Sequence, residues 1–201
     1  VFEEMTPTVF FTTRRLSLHA QPLPSSLATT RMHQCHSNRV VTVRRPKYPT
    51  YIDNCDALIT QSSHHVLVVK TADCLPILIY KPPITIAAVH AGRRGTEKLI
   101  TQNTISQIQT LSPEMGQWKF WFGPHICDSC YEVNPKTHQT YSLAKENINQ
   151  IHSCLDPSLI SLTQSPYCTV CHNDTYFSYR KNKLVAGRFF SGVYLIPEKF
   201  S

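Results

Sequence analysis

Val66-Leu67-Val68-Val69-Lys70-Thr71-Ala72-Asp73-Cys74-Leu75-Pro76-Ile77-Leu78-Ile79-Tyr80-Lys81-Pro82-Pro83-Ile84-Thr85-Ile86-Ala87-Ala88-Val89-His90-Ala91-Gly92 decides how this chain is read. Three short apolar runs, Val66 to Val69, Leu75 to Tyr80 and Ile84 to His90, are rich in β-branched residues and bounded by turn formers, so they read as buried strands. Lys81-Pro82-Pro83 forces a tight reversal between the last two, because proline cannot donate to a ladder. A thiol, Cys74, therefore stands at the head of one strand and an imidazole, His90, at the end of the next. Upstream, His33-Gln34-Cys35-His36 supplies a third candidate ligand, His36. Two imidazoles and one thiolate make an open metal site, and an open site implies chemistry.

Outward from these strands the pattern is mixed. After Gly95 the residues Ile100, Thr104, Ile108 and Leu111 recur at helical spacing until Ser112-Pro113 ends the segment. Trp118 to Phe122 reads as a further strand running into Gly123-Pro124. Asn134 followed by Pro135 has the form of an N-cap and first helical residue, which predicts a second helix from Asn134 with Tyr141, Ala144, Ile148 and Ile151 on its apolar face. Tyr176 to Arg180 and Leu184 to Ile196, around Lys181-Asn182-Lys183, read as a hairpin, and Leu23 to Thr30 as a loop. The expected fold class is α+β: one domain over residues 1–201, with mixed β-sheets flanked by helices.

With 201 residues and 41% apolar content the chain can bury a substantial core. A net charge of +7 suits phosphate-bearing ligands, but no block of five or six basic residues and no repeated aromatic pattern accompanies it, so no nucleic-acid partner is expected. Val66 to Tyr80 is interrupted by Lys70 and Asp73 and is too short to span a bilayer, and Val1-Phe2-Glu3-Glu4 lacks the form of a signal peptide. The expectation is a soluble, cytoplasmic protein without a membrane partner. Its 8 cysteines are then expected to stay reduced. Cys127-x-x-Cys130 and Cys168-x-x-Cys171 have the internal spacing of a closed zinc site, but the segment between them is longer than in common zinc ribbons, which favours ordinary buried or surface thiols.

Thr71-Ala72-Asp73-Cys74-Leu75-Pro76, Ala88-Val89-His90-Ala91-Gly92-Arg93-Arg94-Gly95, Gly123-Pro124-His125-Ile126, Tyr131-Glu132-Val133, Cys168-Thr169, Phe177-Ser178-Tyr179-Arg180 and Gly187-Arg188 occur in one order. In that order, and with Asp56-Ala57-Leu58-Ile59-Thr60, they resemble the YfiH/laccase-domain family, whose members carry the labels polyphenol oxidase, laccase domain and purine nucleoside phosphorylase. The resemblance implies a CNF1/YfiH-like fold and zinc held by His36, Cys74 and His90, with the fourth position free for water, phosphate or substrate. It also implies purine nucleosides and phosphate as substrates, with adenosine deaminase and methylthioadenosine phosphorylase activities beside phosphorolysis. The chain departs from the family in Arg93, where Trp is usual, in Cys35-His36-Ser37, and in an N-terminal region compressed to about residues 1–30.

Asp73, Arg94 and Glu132 are the candidate catalytic residues: Asp73 as acid/base or as support for the thiolate, Arg94 toward an anionic oxygen, Glu132 as a second acid/base or a structural ion pair. Arg180 and Arg188 can bind phosphate, although hairpin arginines are more often solvated, and His64-His65 is expected in an exposed turn. Two rival readings remain open. A metal-free Cys74/His90 hydrolase, akin to the peptidoglycan-editing factors of the family, would use the imidazole to activate the thiol. A non-enzymatic zinc-stabilised module would load only the Cys-x-x-Cys pairs. Copper is the less expected metal, because a multicopper laccase needs many clustered histidines, whereas this chain has 10 and no His-x-His pair.

Overall fold

The computed structural model describes residues 5–16, 27–44 and 48–197. Its strands are β1 (Met5–Phe11), β2 (Ala28–His33), β3 (Val40–Thr42), β4 (Thr50–Asp53), β5 (Ala57–Thr60), β6 (His65–Thr71), β7 (Leu75–Lys81), β8 (Thr85–Ala91), β9 (Trp118–Phe122), β10 (Glu132–Asn134), β11 (Gln139–Thr140), β12 (Ile160–Gln164) and β13 (Phe189–Pro197). Helices are α1 (Arg93–Glu97), α2 (Ile100–Leu111), α3 (Leu143–Cys154) and α4 (Tyr179–Asn182). The α+β expectation is met, with mixed sheets and few helices. No helix among the described residues is long and apolar enough to cross a membrane.

Two sheets and a helical layer stack on one another. The first sheet has the order β1-β13-β6-β2-β4 and the second the order β12-β9-β7-β8-β5-β3. Antiparallel pairs make the centre of the second sheet, while parallel pairs β2 with β4 and β6, β3 with β5, and β12 with β9 make both sheets mixed. The chain crosses between sheets at Ala72-Asp73-Cys74, leaving β6 in the first and entering β7 in the second.

Period-two alternation explains why β6, β7 and β8 read as continuous apolar runs: both faces are covered. Leu78, Tyr80, Ile86 and Ala88 pack between the sheets with Leu67, Val69 and Val193. Ile77, Ile79, Ala87 and Val89 turn the other way, onto Ile105 and Ile108 of α2 and Ile151 of α3. Each large side chain withdrawn from water here contributes about 1.5–3 kcal/mol. Two buried amides, Asn147 and Gln150, tie α3 to the α1–α2 corner through Thr96 and Thr101.

Three local expectations are corrected. Asn134-Pro135 does not start a helix: the Asn134 side chain accepts from the Lys136 amide, and this short-range capture turns β10 into β11. The helix starts after Ser142, whose hydroxyl caps Lys145, so Ala144 and Ile151 are buried in it whereas Tyr141 precedes it. At the C-terminal end the expected hairpin is a helical turn, α4, followed by a strand inserted between β1 and β6, a choice of partner that no local pattern encodes. Finally, Ala28 to Thr30 open β2 rather than continue a loop, while residues 23–26 of that expectation lie outside the described residues.

Candidate metal centre

The ends of β2, β6 and β8 and the starts of β5 and β7 converge at one rim of the two sheets, and this convergence assembles the site. In the β7–β8 ladder Leu75 opposes Ala91 and Pro76 opposes His90, which places the residue before β7, Cys74, beside the end of β8. The ligand atoms of His36, Cys74 and His90 all lie within 4.8 Å of one another. Cys74 Sγ is 3.8 Å from His36 Nε2, and the two imidazole centroids are 4.8 Å apart, edge to face. The neighbours are excluded by their partners: the His33 ring bonds Asp53 and stacks on Tyr51, and the Cys35 thiol faces Asp56.

Two departures from ordinary backbone geometry aim these groups. His36 has φ 60° and Asp73 has φ 92°, both in the left-handed region that costs a side-chain-bearing residue on the order of 1–3 kcal/mol. Gly92, by contrast, is required by proximity. A Cβ there would sit 2.8 Å from His36 Cδ2 and 3.0 Å from Cys74 Sγ. Gly92→Ala is expected to push the two side chains apart and, if the cluster takes up zinc, to lower its affinity at least about tenfold, the scale on which displaced supporting groups act; competition with a chromophoric chelator reads it directly.

Asp56 holds the cluster together, and sequence reasoning gave it no role. It is fully buried at the head of β5. Its Oδ1 accepts from His90 Nδ1 at 2.7 Å and from the His36 amide at 3.0 Å. Oδ2 accepts from the Ser37 amide and hydroxyl, each at 2.7 Å, and from the Cys35 amide at 3.2 Å. Burial works against its ionisation, but the bonds from His90 and Ser37 prevail and hold the carboxyl well below the usual carboxylate range. With Nδ1 committed to Asp56, His90 presents Nε2 to a metal, the usual carboxylate–histidine–metal arrangement. The available signal was a lone acid opening an otherwise apolar strand, Asp56-Ala57-Leu58-Ile59.

As protein groups alone, Cys74 and His90 shift each other toward the thiolate and the imidazolium. Burial pushes the thiol up, but the His90 charge and the His36 bond pull it down to about 6. Desolvation pulls His90 down, and the Cys74 thiolate and Asp56 push it up to about 9. The donor set, two nitrogens and a polarised sulfur, fits zinc with an open fourth position.

The cluster floors a cavity of about 770 Å³, a size that admits a nucleoside. Lys70, Arg93, Arg94, Arg180, Lys183 and Arg188 line it, against one lining carboxylate among the described residues, Asp73. Six of the chain's 20 lysines and arginines are thus gathered at one pocket. Asp73 does not present a free carboxylate: Oδ1 accepts from the Thr169 hydroxyl at 2.6 Å, and Oδ2 from the Arg180 amide at 2.6 Å. Glu132 lies outside the lining, its carboxylate 3.0 Å from His138 Nδ1, while its carbonyl accepts from Arg180. Arg180 sits over the Tyr131 ring and Arg188 over Tyr179. His64 is exposed as expected, whereas His65 is buried as the first residue of β6.

Comparison with known proteins gives a consistent picture. The family model described as multi-copper polyphenol oxidoreductase laccase matches residues 12–158 and 158–196. The chain is 31% identical over 180 residues to a purine nucleoside phosphorylase of Campylobacter jejuni, covering 82% of this chain and 76% of that protein. It is 27% identical over 190 residues to an adenosine deaminase of an unknown prokaryotic organism, covering 80% of this chain and 72% of the relative. Among solved structures, a hypothetical protein YfiH of Bacillus licheniformis has a similar fold, with TM-score 0.73 and 21% identity over 84% of this chain and 74% of that one.

Proposed function

Because the chain belongs to the multi-copper polyphenol oxidoreductase laccase family, of the YfiH type, we propose that it is a zinc-dependent purine nucleoside phosphorylase, with adenosine deaminase and methylthioadenosine phosphorylase activities. The observation that carries this reading is the three-ligand cluster His36, Cys74 and His90 opening into a cavity lined by cations. Three protein ligands suit a catalytic metal and a cationic wall suits phosphate. Zinc bound there supplies Lewis acidity and lowers the pKa of water, which serves phosphorolysis and deamination alike.

The chain's own residues supply binding and order. Arg94 and Arg93 open α1 beside the ligands and are positioned to take phosphate oxygens. Asp73 acts through its bonds to Thr169 and the Arg180 amide, so we assign it a positioning role rather than proton transfer. Tyr131, Ile126 and Leu143 offer an apolar wall for a purine. Glu132 is assigned to its hydrogen bond with His138 rather than to proton transfer. The need for free thiols fits a reducing compartment such as the cytoplasm.

Zinc is preferred to copper on the donor set. Among the described residues only two clusters offer metal ligands, and one of them has no histidine. No methionine lines the cavity to serve as the axial ligand of a blue-copper site. A second reading has a specific observation behind it: Asp56 orients His90 through Nδ1, and the ligand atoms of Cys74 and His90 lie within 4.8 Å of each other, the order of groups in a Cys-His-Asp hydrolase. The two separate on metal. Phosphate-dependent release of hypoxanthine from inosine, and release of ammonia from adenosine by water without phosphate, should both vanish on chelation and return with zinc; a Cys-His hydrolase would instead keep its activity in chelator.

Arg94→Ala is expected to raise KM for phosphate about tenfold or more while changing kcat less, as the loss of a charge-assisted hydrogen bond of about 1.5–3 kcal/mol requires. Initial rates at varied phosphate and saturating inosine check it.

A further inference from the structure

The fold brings together two Cys-x-x-Cys pairs that lie far apart in the sequence. Cys127 and Cys130 belong to the short turn after His125-Ile126, and Cys168 and Cys171 to the loop that follows β12. All four sulfurs lie within 4.8 Å of one another, and Cys130 Sγ is 3.7 Å from Cys171 Sγ. A tetrahedral zinc with Zn–S bonds of about 2.3 Å sets its sulfurs about 3.8 Å apart. We propose that Cys127, Cys130, Cys168 and Cys171 form a second, closed zinc site that is structural and separate from the His36, Cys74 and His90 centre.

The surroundings suit thiolates. The Cys127 amide donates to Cys168 Sγ at 3.3 Å, and the Ser129 hydroxyl lies 3.3 Å from Cys127 Sγ, placed to donate to it. Such bonds offset the charge that four thiolates place on a divalent ion. Four protein ligands leave no position for water or substrate, so the site serves folding rather than chemistry.

What it would fasten follows from the hydrogen bonds on either side. On the first loop, the Ile126 amide donates to the Asp73 carbonyl at 2.9 Å. On the second, the Thr169 hydroxyl reaches Asp73 Oδ1 and its amide donates to the His125 carbonyl at 3.0 Å. A zinc joining the two loops would therefore clamp the Asp73 turn, next to Cys74, from both sides. The spacing alone pointed to ordinary thiols because the long segment between the pairs hid their meeting.

Zinc stoichiometry of protein purified under reducing conditions tests this, by elemental analysis and native mass spectrometry. The parent should carry two zinc ions per chain. Cys171→Ser, at an exposed ligand, should lose one and melt at lower temperature, and Cys74→Ala should lose the other. Cobalt-loaded Cys74→Ala should show the thiolate charge-transfer and visible bands of a tetrahedral tetrathiolate. Should Cys171→Ser fail to fold, the zinc retained by Cys74→Ala decides. A parent whose zinc is wholly removed by Cys74→Ala, or one in which alkylation after unfolding finds these four cysteines in disulfides, would overturn the proposal. The Cys74→Ala readout does not depend on which reaction the first centre catalyses.

Discussion

Asp56→Asn is expected to lower the zinc affinity of the His36, Cys74 and His90 cluster by about 10- to 100-fold and to cost about 3–5 kcal/mol of stability. One carboxylate receives the His90 ring, the His36 amide, the Cys35 amide and both donors of Ser37. An amide can keep the bond to His90 through its oxygen, but its NH₂ then faces the donors of Cys35 and Ser37 in a fully buried place. Donors left without an acceptor there bear the full desolvation cost. Urea unfolding of the metal-free proteins measures the stability term apart from the zinc term.

The same carboxylate gives the substitution a pH signature. Its folded pKa is depressed below the ordinary 3.8, so the stability it contributes is fully present above that value and is lost as pH falls toward the folded pKa. Once His90 is protonated in folded and unfolded chains alike, the gap between parent and Asp56→Asn should therefore be steady from about pH 5.5 down to about 4 and narrow below it. A gap that widened below about pH 4 would show that the carboxyl is not held ionised.

Cys74→Ala is expected to abolish zinc binding at the catalytic cluster and to lower kcat/KM for phosphorolysis by about 10³-fold or more. Metal-ion catalysis supplies several kcal/mol of transition-state stabilisation, and each 1.4 kcal/mol is tenfold in rate. The change is local. Cys74 stands before β7 and outside the apolar clusters, so the fold should survive, as near-UV circular dichroism can verify. Phosphate-varied kinetics separate it from Arg94→Ala, which should act chiefly on KM.

The strands around Cys74 were legible because both their faces are buried, and burial on both faces writes itself into the sequence as unbroken Val, Ile and Leu. Helix α2 was legible through its spacing. Asn134-Pro135 misled because the same two residue types serve a helix cap and an Asx turn, and only the partner amide distinguishes them. The position of β13 was not legible, since its neighbours β1 and β6 are remote in sequence. At the site, the family's motif order pointed to His36, Cys74 and His90, while the role of Asp56 stayed hidden because a buried acid is defined by the donors folded around it. Arg180 looked like a hairpin arginine. Its place at the cavity follows from α4, whose first amides are held by Asp73 and Ser178.

The most direct test removes zinc from the parent protein, returns it in measured amounts, and follows phosphate-dependent hypoxanthine release from inosine together with the zinc bound. The account predicts a rate that rises in proportion to occupancy of a site that Cys74→Ala lacks. Full turnover in protein whose His36, Cys74 and His90 hold no metal would contradict it.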